Sequence, residues 1–209
     1  MTVLDPVGRQ TVVHQSNVSR ETLARLDALT KLFSIWRSRL NLMGPREYDR
    51  IWSRHINDSL QLLPHISSFE TAIDLGSGGG FPALVLAAAA PEPFSITLVE
   101  SVAKKCTFLA EAIETIGLSA QVHNGRVEDM TAGPVDVITA RAFAPLPKLL
   151  NFAEPWFEFG AIGLFHKGKS WQEELNEVSR QWALTWDAIP SRTDPDGVIL
   201  KILEVRRNG

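Results

Sequence analysis

The chain is short of cysteine and tyrosine, with one of each, Cys106 and Tyr48, in 209 residues. A single thiol excludes a disulfide framework and any zinc site built from cysteines. Long apolar runs are also missing. The longest, Phe81–Ala90, falls well short of the roughly 20 residues that cross a bilayer. No excess of positive charge marks the chain as a whole. Its 21 Lys and Arg face 24 Asp and Glu, a net charge of −3, which removes the global footprint of a nucleic-acid binder. The first ten residues carry Asp5, Pro6 and Arg9 and no apolar stretch, so no secretory leader is expected and the chain reads as cytoplasmic. What is present is 44% hydrophobic and 22% charged residues. That balance excludes wholesale disorder, and the length suits one full domain with a small extension.

Charge is unevenly spread. Residues 1–70 hold 9 Lys/Arg against 7 Asp/Glu, a net of +2, and residues 71–209 hold 12 against 17, a net of −5. An RNA or phosphate contact must therefore be local. The most basic stretch carries Arg37, Arg39, Arg46, Arg50 and Arg54 around Trp36, Tyr48 and Trp52. Arg46 and Arg50 are its expected RNA-phosphate ligands. The competing reading puts the tryptophans in the core and the arginines on a wet helix face.

Periodicity divides the chain at residue 65. Ser19 is the expected N-cap of an amphipathic helix whose apolar residues, Leu23 to Leu40, recur at steps of three and four. Gly44-Pro45 breaks it, and Ile51, Ile56, Leu60 and Leu63 mark a second helix ending before Pro64. Residues 1–65 thus read as a helical extension and residues 66–209 as the main domain. In that domain strands are expected at 72–75, 95–100, 120–123, 135–140, 161–166, 184–188 and 198–205. Helices are expected at 81–90, 103–116, 146–157 and 171–182. Strands alternating with helices predict an α/β fold with a mostly parallel sheet covered on both faces.

The chemistry is concentrated in Asp74-Leu75-Gly76-Ser77-Gly78-Gly79-Gly80-Phe81, which joins the first predicted strand to its helix. Glycines at that junction let the backbone approach a ligand, and the helix beyond presents free N–H groups. Glu100 ends the next strand, where a carboxylate can accept both hydroxyls of a ribose. A dinucleotide fingerprint needs a third glycine at position 81, which is Phe. The pattern instead resembles the class I S-adenosylmethionine (SAM) methyltransferases, with their Rossmann-like sheet. A second motif, Gly163-Leu-Phe-His-Lys-Gly-Lys-Ser170, matches the phosphate-loop consensus letter for letter. A phosphate loop must follow its strand, whereas Gly163 to His166 falls inside the predicted fifth strand. A nucleotide-binding protein using Gly163–Ser170 is nonetheless an alternative for the structure to settle.

Further segments lie in order around the glycine loop: Trp36, Asn41-Leu42, Arg54-His55-Ile56-Asn57-Asp58-Ser59-Leu60, Glu100-Ser101, Lys104-Lys105, Gly125-Arg126-Val127-Glu128, Thr139-Ala-Arg141-Ala-Phe-Ala-Pro145 and Lys167-Gly168. Over roughly residues 20–170 this ordered set resembles the glucose-inhibited division protein B family, whose members are SAM-dependent methyltransferases for N7 of a guanine in 16S rRNA. The resemblance implies SAM as cofactor, held by Asp74, Gly76, Gly78, Phe81, Glu100, Val127, Glu128 and Arg141. It implies 16S rRNA or the small ribosomal subunit as partner, with Arg126 and Lys167 beside Arg46 and Arg50 as substrate contacts. A monomer is expected. Ala83 and Gly79 depart from the family's usual residues, and neither change removes a reactive side chain. Guanine N7 carries a lone pair and no proton near neutral pH, so its methylation needs no general base. The sequence shows no acid–base dyad, and His55, His123 and His166 read as packing or surface residues. A SAM-dependent methyltransferase of a small molecule is the other reading within the enzyme class, and an RNA-binding module the reading outside it.

Overall fold

A computed structural model describes residues 4–16 and 18–208. In chain order the helices and strands are α1 (Pro6–Gln15), α2 (Arg20–Trp36), a 3-10 helix (Pro45–Arg50), a π-helix (Ile51–Ile56), α3 (Asn57–Leu60), α4 (Leu63–Ile66), β1 (Thr71–Leu75), α5 (Ala83–Ala89), β2 (Ser95–Glu100), α6 (Ala103–Ile116), β3 (Ala120–Asn124), a 3-10 turn (Val127–Asp129), β4 (Val137–Arg141), α7 (Leu146–Phe157), β5 (Ile162–Lys167), α8 (Trp171–Val178), β6 (Trp182–Pro190) and β7 (Val198–Arg207). The strands form one seven-stranded sheet in the order β3-β2-β1-β4-β5-β7-β6. All neighbours are parallel except β7, which runs antiparallel to β5 and β6. Strand order reverses between β1 and β4, so the crevice for a ligand opens where the loops after those two strands separate.

The sheet is buried on both faces, which is why β1, β2 and β4 are nearly continuous apolar runs. On one face α2, the π-helix, α5 and α6 share a core in which Phe33, Trp52, Leu84 and Phe108 are fully buried. The helices before residue 66 are therefore packed into the sheet's own core. On the other face α7 and the β6–β7 hairpin close a second cluster around Phe165, Trp156 and Trp182.

Ser19 caps α2 as expected, accepting from the Thr22 N–H at 3.0 Å. The helix stops at Trp36 rather than Leu40, because the polar Arg37-Ser38-Arg39 turns the chain and still lets Leu42 reach the core. The expected second helix is replaced by a 3-10 turn, a π turn and one α turn, and Pro64 begins α4 rather than ending a helix. The π-helix buries Ile51, Trp52, His55 and Ile56. Helix α1 was not expected, since Val12 is its one large buried apolar residue. A polar clamp holds it instead. Asp5 accepts from Gly8 N–H (3.0 Å), Ser53 N–H (2.7 Å) and Ser53 O–H (2.8 Å), and Arg9 forks onto Asp27 at 2.6 and 2.7 Å.

Helix α8 ends at Val178, four residues early. Trp182 instead opens β6, buried beneath the Arg207 guanidinium, which lies 4.3 Å from its ring centre. Strand β4 starts at Val137 because Asp136 is occupied. Its Oδ2 accepts from the Glu70 N–H, the Thr71 N–H and the Thr71 hydroxyl, tying the entry of β1 to that of β4.

Candidate active site

The glycine loop leaves β1 with Gly76, Gly78 and Gly80 all at positive φ (70°, 56° and 86°). Gly76 has a second constraint. A Cβ there would lie 2.1 Å from the Phe143 ring, which the sharp turn at Ala142 (φ 52°) folds back over the loop. The loop after β1 and the loop after β4 therefore interlock at the switch point of the sheet.

Between them opens a cavity of about 630 Å³, in the size range of small-molecule sites. Of the residues expected to hold the cofactor, Gly76, Gly78, Phe81, Glu100, Val127, Glu128 and Arg141 line it, and Arg126 joins them at its rim. Glu100 is 7% exposed. Its Oε2 accepts from the Gly78 N–H (2.9 Å) and its Oε1 from the Val102 N–H (2.8 Å), so the backbone fixes the carboxylate and each oxygen keeps a lone pair for a further donor. A ribose diol fits that arrangement.

Asp74 is a correction to the sequence reading, for it does not line the cavity. It is fully buried under the loop, where Oδ1 accepts from the Thr139 hydroxyl at 2.7 Å and joins β1 to β4. Oδ2 has no partner. Burial pushes its carboxyl up to about 6. It props the loop from below.

Sequence reasoning missed a polar network beside the cavity. Arg141 ends β4 and donates to Asp58 Oδ2 at 3.1 Å and to His55 Nδ1. Its guanidinium lies 5.7 Å from the Phe81 ring centre. Asp58 is saturated, accepting on Oδ1 from Gln61 and from Thr193 (2.6 Å each). The His166 Nε2 lies 3.0 Å from the Asp58 carbonyl oxygen. Thus Arg54-His55-Ile56-Asn57-Asp58, noted only as part of a resemblance, supplies the support of the pocket arginine. Arg141 pairs with neither Glu128 nor Asp136. Burial pushes His55 down to about 4, with the Arg141 charge adding to the effect, so the imidazole is neutral at pH 7. Burial lowers His166 in the same sense. Both side chains are buried, as a packing histidine is, and His55 lies against the Phe81 ring with centroids 5.0 Å apart, but both also belong to this polar network. The signal was available in sequence only as two polar residues, His55 and Asp58, set among buried apolar ones.

Other expected contacts lie elsewhere. Lys167 lines a second cavity of about 560 Å³ and is bound to Glu174 at 2.6 Å. Arg46 and Arg50 are exposed on the 3-10 helix and line neither cavity. Arg54 leaves the basic face and faces the second cavity, donating to the Thr193 carbonyl oxygen (3.3 Å) and lying 3.6 Å from Asp194. Trp52 is core, and Arg37 and Arg39 lie over Tyr48 and Trp36. The phosphate-loop match fails on geometry. Gly163 to Lys167 is strand β5, paired on both sides, so its backbone cannot cradle a phosphate.

A doubly wound sheet with a glycine loop at the switch point, a fixed acid at the end of β2 and helices before β1 defines a class I SAM-dependent methyltransferase. Solved structures agree on the fold. An O-methyltransferase from Bacillus cereus in complex with SAH superimposes with a TM-score of 0.61 at 15% identity, covering 95% of this chain and 97% of that one. The O-methyltransferase TomG from Streptomyces achromogenes, in complex with SAM, gives 0.60 at 15% identity over 96% and 98%. The chain belongs to the GidB family, rRNA small subunit methyltransferase G, whose model matches residues 22–191. Relatives named ribosomal RNA small subunit methyltransferase G include those of Hyphomonas neptunium, 50% identical over 92% of both chains, and Gluconobacter oxydans, 44% identical over 92% of this chain and 98% of that one.

Proposed function

We propose that this chain transfers a methyl group from SAM to N7 of one guanine in 16S rRNA of the small ribosomal subunit. It acts as a monomer in the cytoplasm, where that rRNA is made. The carrying observation is the pairing of Glu100 and the glycine loop in a cavity built wholly by this chain. Residues 66–209 carry the site, and residues 1–65 add its outer wall. No helix among the described residues is long and apolar enough to cross a membrane.

When bound, SAM supplies an electrophilic sulfonium methyl. Glu100 holds the ribose, Gly76 and Gly78 admit the cofactor close to the backbone, and Val127 and Glu128 flank the adenine. The chain has then only to position a base whose N7 already bears a lone pair, and to exclude water from it. Arg141 is braced by Asp58 and the Phe81 ring on the wall shared by the two cavities, where it can donate to guanine O6. A donor on N7 itself would block the nucleophile.

Incubating the purified chain with methyl-labelled SAM and unmodified small subunits is expected to place label in the 16S rRNA. Label confined to small molecules would contradict the reading. Glu100→Ala is expected to weaken SAM by about 1–3 kcal/mol through lost hydrogen bonds, measured by calorimetry. Unchanged affinity would remove Glu100 from the site. The pair Arg46→Glu and Arg50→Glu is expected to leave SAM affinity intact and to lower rRNA methylation, with a shallower salt dependence. Full activity across the salt range would show that the two arginines are only solvated.

A further inference from the structure

The two cavities share a wall, and five residues line both: Glu47, Arg141, Ala142, Phe143 and Ala144. Two of the five are charged. The charges around the second cavity fall into matched pairs. Arg141 faces Asp58 at 3.1 Å, Lys167 faces Glu174 at 2.6 Å, and Arg54 faces Asp194 at 3.6 Å. Glu47 stands outside this matching. Its one ionisable partner within 4 Å among the described residues is His55, whose Nε2 lies 3.0 Å from Oε2 but off the line of the ring N–H, and Arg141 beyond it feels the same carboxylate at longer range. That imidazole is the one held neutral by burial and by Arg141. The shared wall therefore carries a carboxylate that no Lys or Arg among the described residues contacts directly, delivered by the 3-10 helix that follows Gly44.

The reaction proposed above moves one positive charge through that wall. The guanine N7 lone pair forms the new N–C bond while the S–C bond breaks and its electron pair goes to sulfur. The sulfonium becomes a neutral thioether, and the neutral guanine becomes a cationic 7-methylguanine. No proton moves and the sum stays at +1. An electrostatic partner fixed at the crossing needs no rearrangement during the step.

We propose that Glu47 is the counter-charge of this transfer, a carboxylate of the N-terminal extension that faces the cation on the cofactor side before the methyl moves and on the base side afterwards. The inference rests on the methyltransferase reading and deepens it. It also gives the extension a chemical role beyond packing.

The test is binding of SAM and of its neutral product S-adenosylhomocysteine (SAH) to the full chain, by calorimetry. Glu47→Gln keeps size and shape and removes the charge. It is expected to weaken SAM about tenfold, a unit-charge interaction reduced by solvent because Glu47 is half-exposed, and to leave SAH within about twofold. Glu47→Asp retains the charge and is expected to keep the preference for SAM over SAH. Equal loss for both ligands in the Gln variant would assign Glu47 a purely structural role. No change for either would place its carboxylate away from the charge. Loss of the preference in the Asp variant would also overturn the proposal. Failure of the unsubstituted chain to bind either ligand would instead bring down the methyltransferase reading, and the proposal with it. The Gln variant's fold is checked by its melting curve. Glu47 is half-exposed and accepts no aligned hydrogen bond, so that curve is expected to match the parent's.

Discussion

Asp58→Ala is expected to destabilise the chain by about 3–5 kcal/mol, because it removes the one carboxylate in direct contact with the buried Arg141 cation. Both partners are largely hidden, with side chains 19% and 14% exposed. The substitution also removes the acceptor of the Thr193 hydroxyl (2.6 Å), which holds α3 to the β6–β7 connection, and of the Gln61 amide (2.6 Å) at the end of α3. For a chain of this size the loss corresponds to a melting temperature lower by about 6–20 °C. Thermal unfolding followed by circular dichroism measures it. A shift below about 3 °C would mean that Arg141 finds other partners and that Asp58 does not brace it. The double variant Asp58→Ala/Arg141→Ala supplies a control. It is expected to be less damaged than the sum of the single variants, since no charge is then left unpaired.

Gly76→Ala is the second large effect, and it acts on both stability and binding. The left-handed backbone at φ 70° costs a residue with a Cβ about 1–2 kcal/mol, and displacing the Phe143 ring from 2.1 Å adds the about 1–3 kcal/mol typical of overpacking. The displaced ring has little room except toward the cavity that it lines. SAM affinity is therefore expected to fall by at least about tenfold, together with a loss of about 2–5 kcal/mol in stability. A parallel variant, Phe143→Ala, separates the two causes. If the ring is the obstacle, Gly76→Ala/Phe143→Ala recovers part of the lost affinity. A Gly76→Ala chain that binds SAM like the parent would show that the loop is not the cofactor's cradle.

The parts of this architecture that were legible in sequence are those with local causes. Helices α6 and α7 and strand β2 have the expected bounds, because Gly117 takes a left-handed cap, Pro147 suits a first turn, and β2 is a short apolar run set between polar turns. The glycine loop and Glu100 were legible because the conformations they need leave a mark in residue type. What was hidden depends on distance. Helix α1 stands on Asp5 meeting Ser53, 48 positions away. The inward residues of the π-helix, Ile51, Trp52, His55 and Ile56, also fit one face of an α-helix, so the pattern alone does not separate the two and the segment reads as an ordinary helix. Arg141, His55, Asp58 and His166 come from three separate stretches and converge only when β4 and β5 set Arg141 and His166 side by side. Asp74 shows the converse. It belongs to the motif by letter, yet its side chain turns inward to Thr139.

The chemistry proposed for the site requires no general base. The structure instead supplies placement, through the interlocked loops after β1 and β4, and the Glu47 carboxylate on the wall that the two cavities share.

The central claim is that one cavity delivers one methyl group to one guanine nitrogen. Its most direct test is the identity of the product. 16S rRNA is recovered from small subunits after reaction with the chain and SAM, and is then cleaved chemically at 7-methylguanosine. A single cleavage site, absent without SAM and absent with Glu100→Ala at limiting SAM, is the predicted result. Methylated rRNA that resists this cleavage, with label on another base atom or on ribose, would contradict the account.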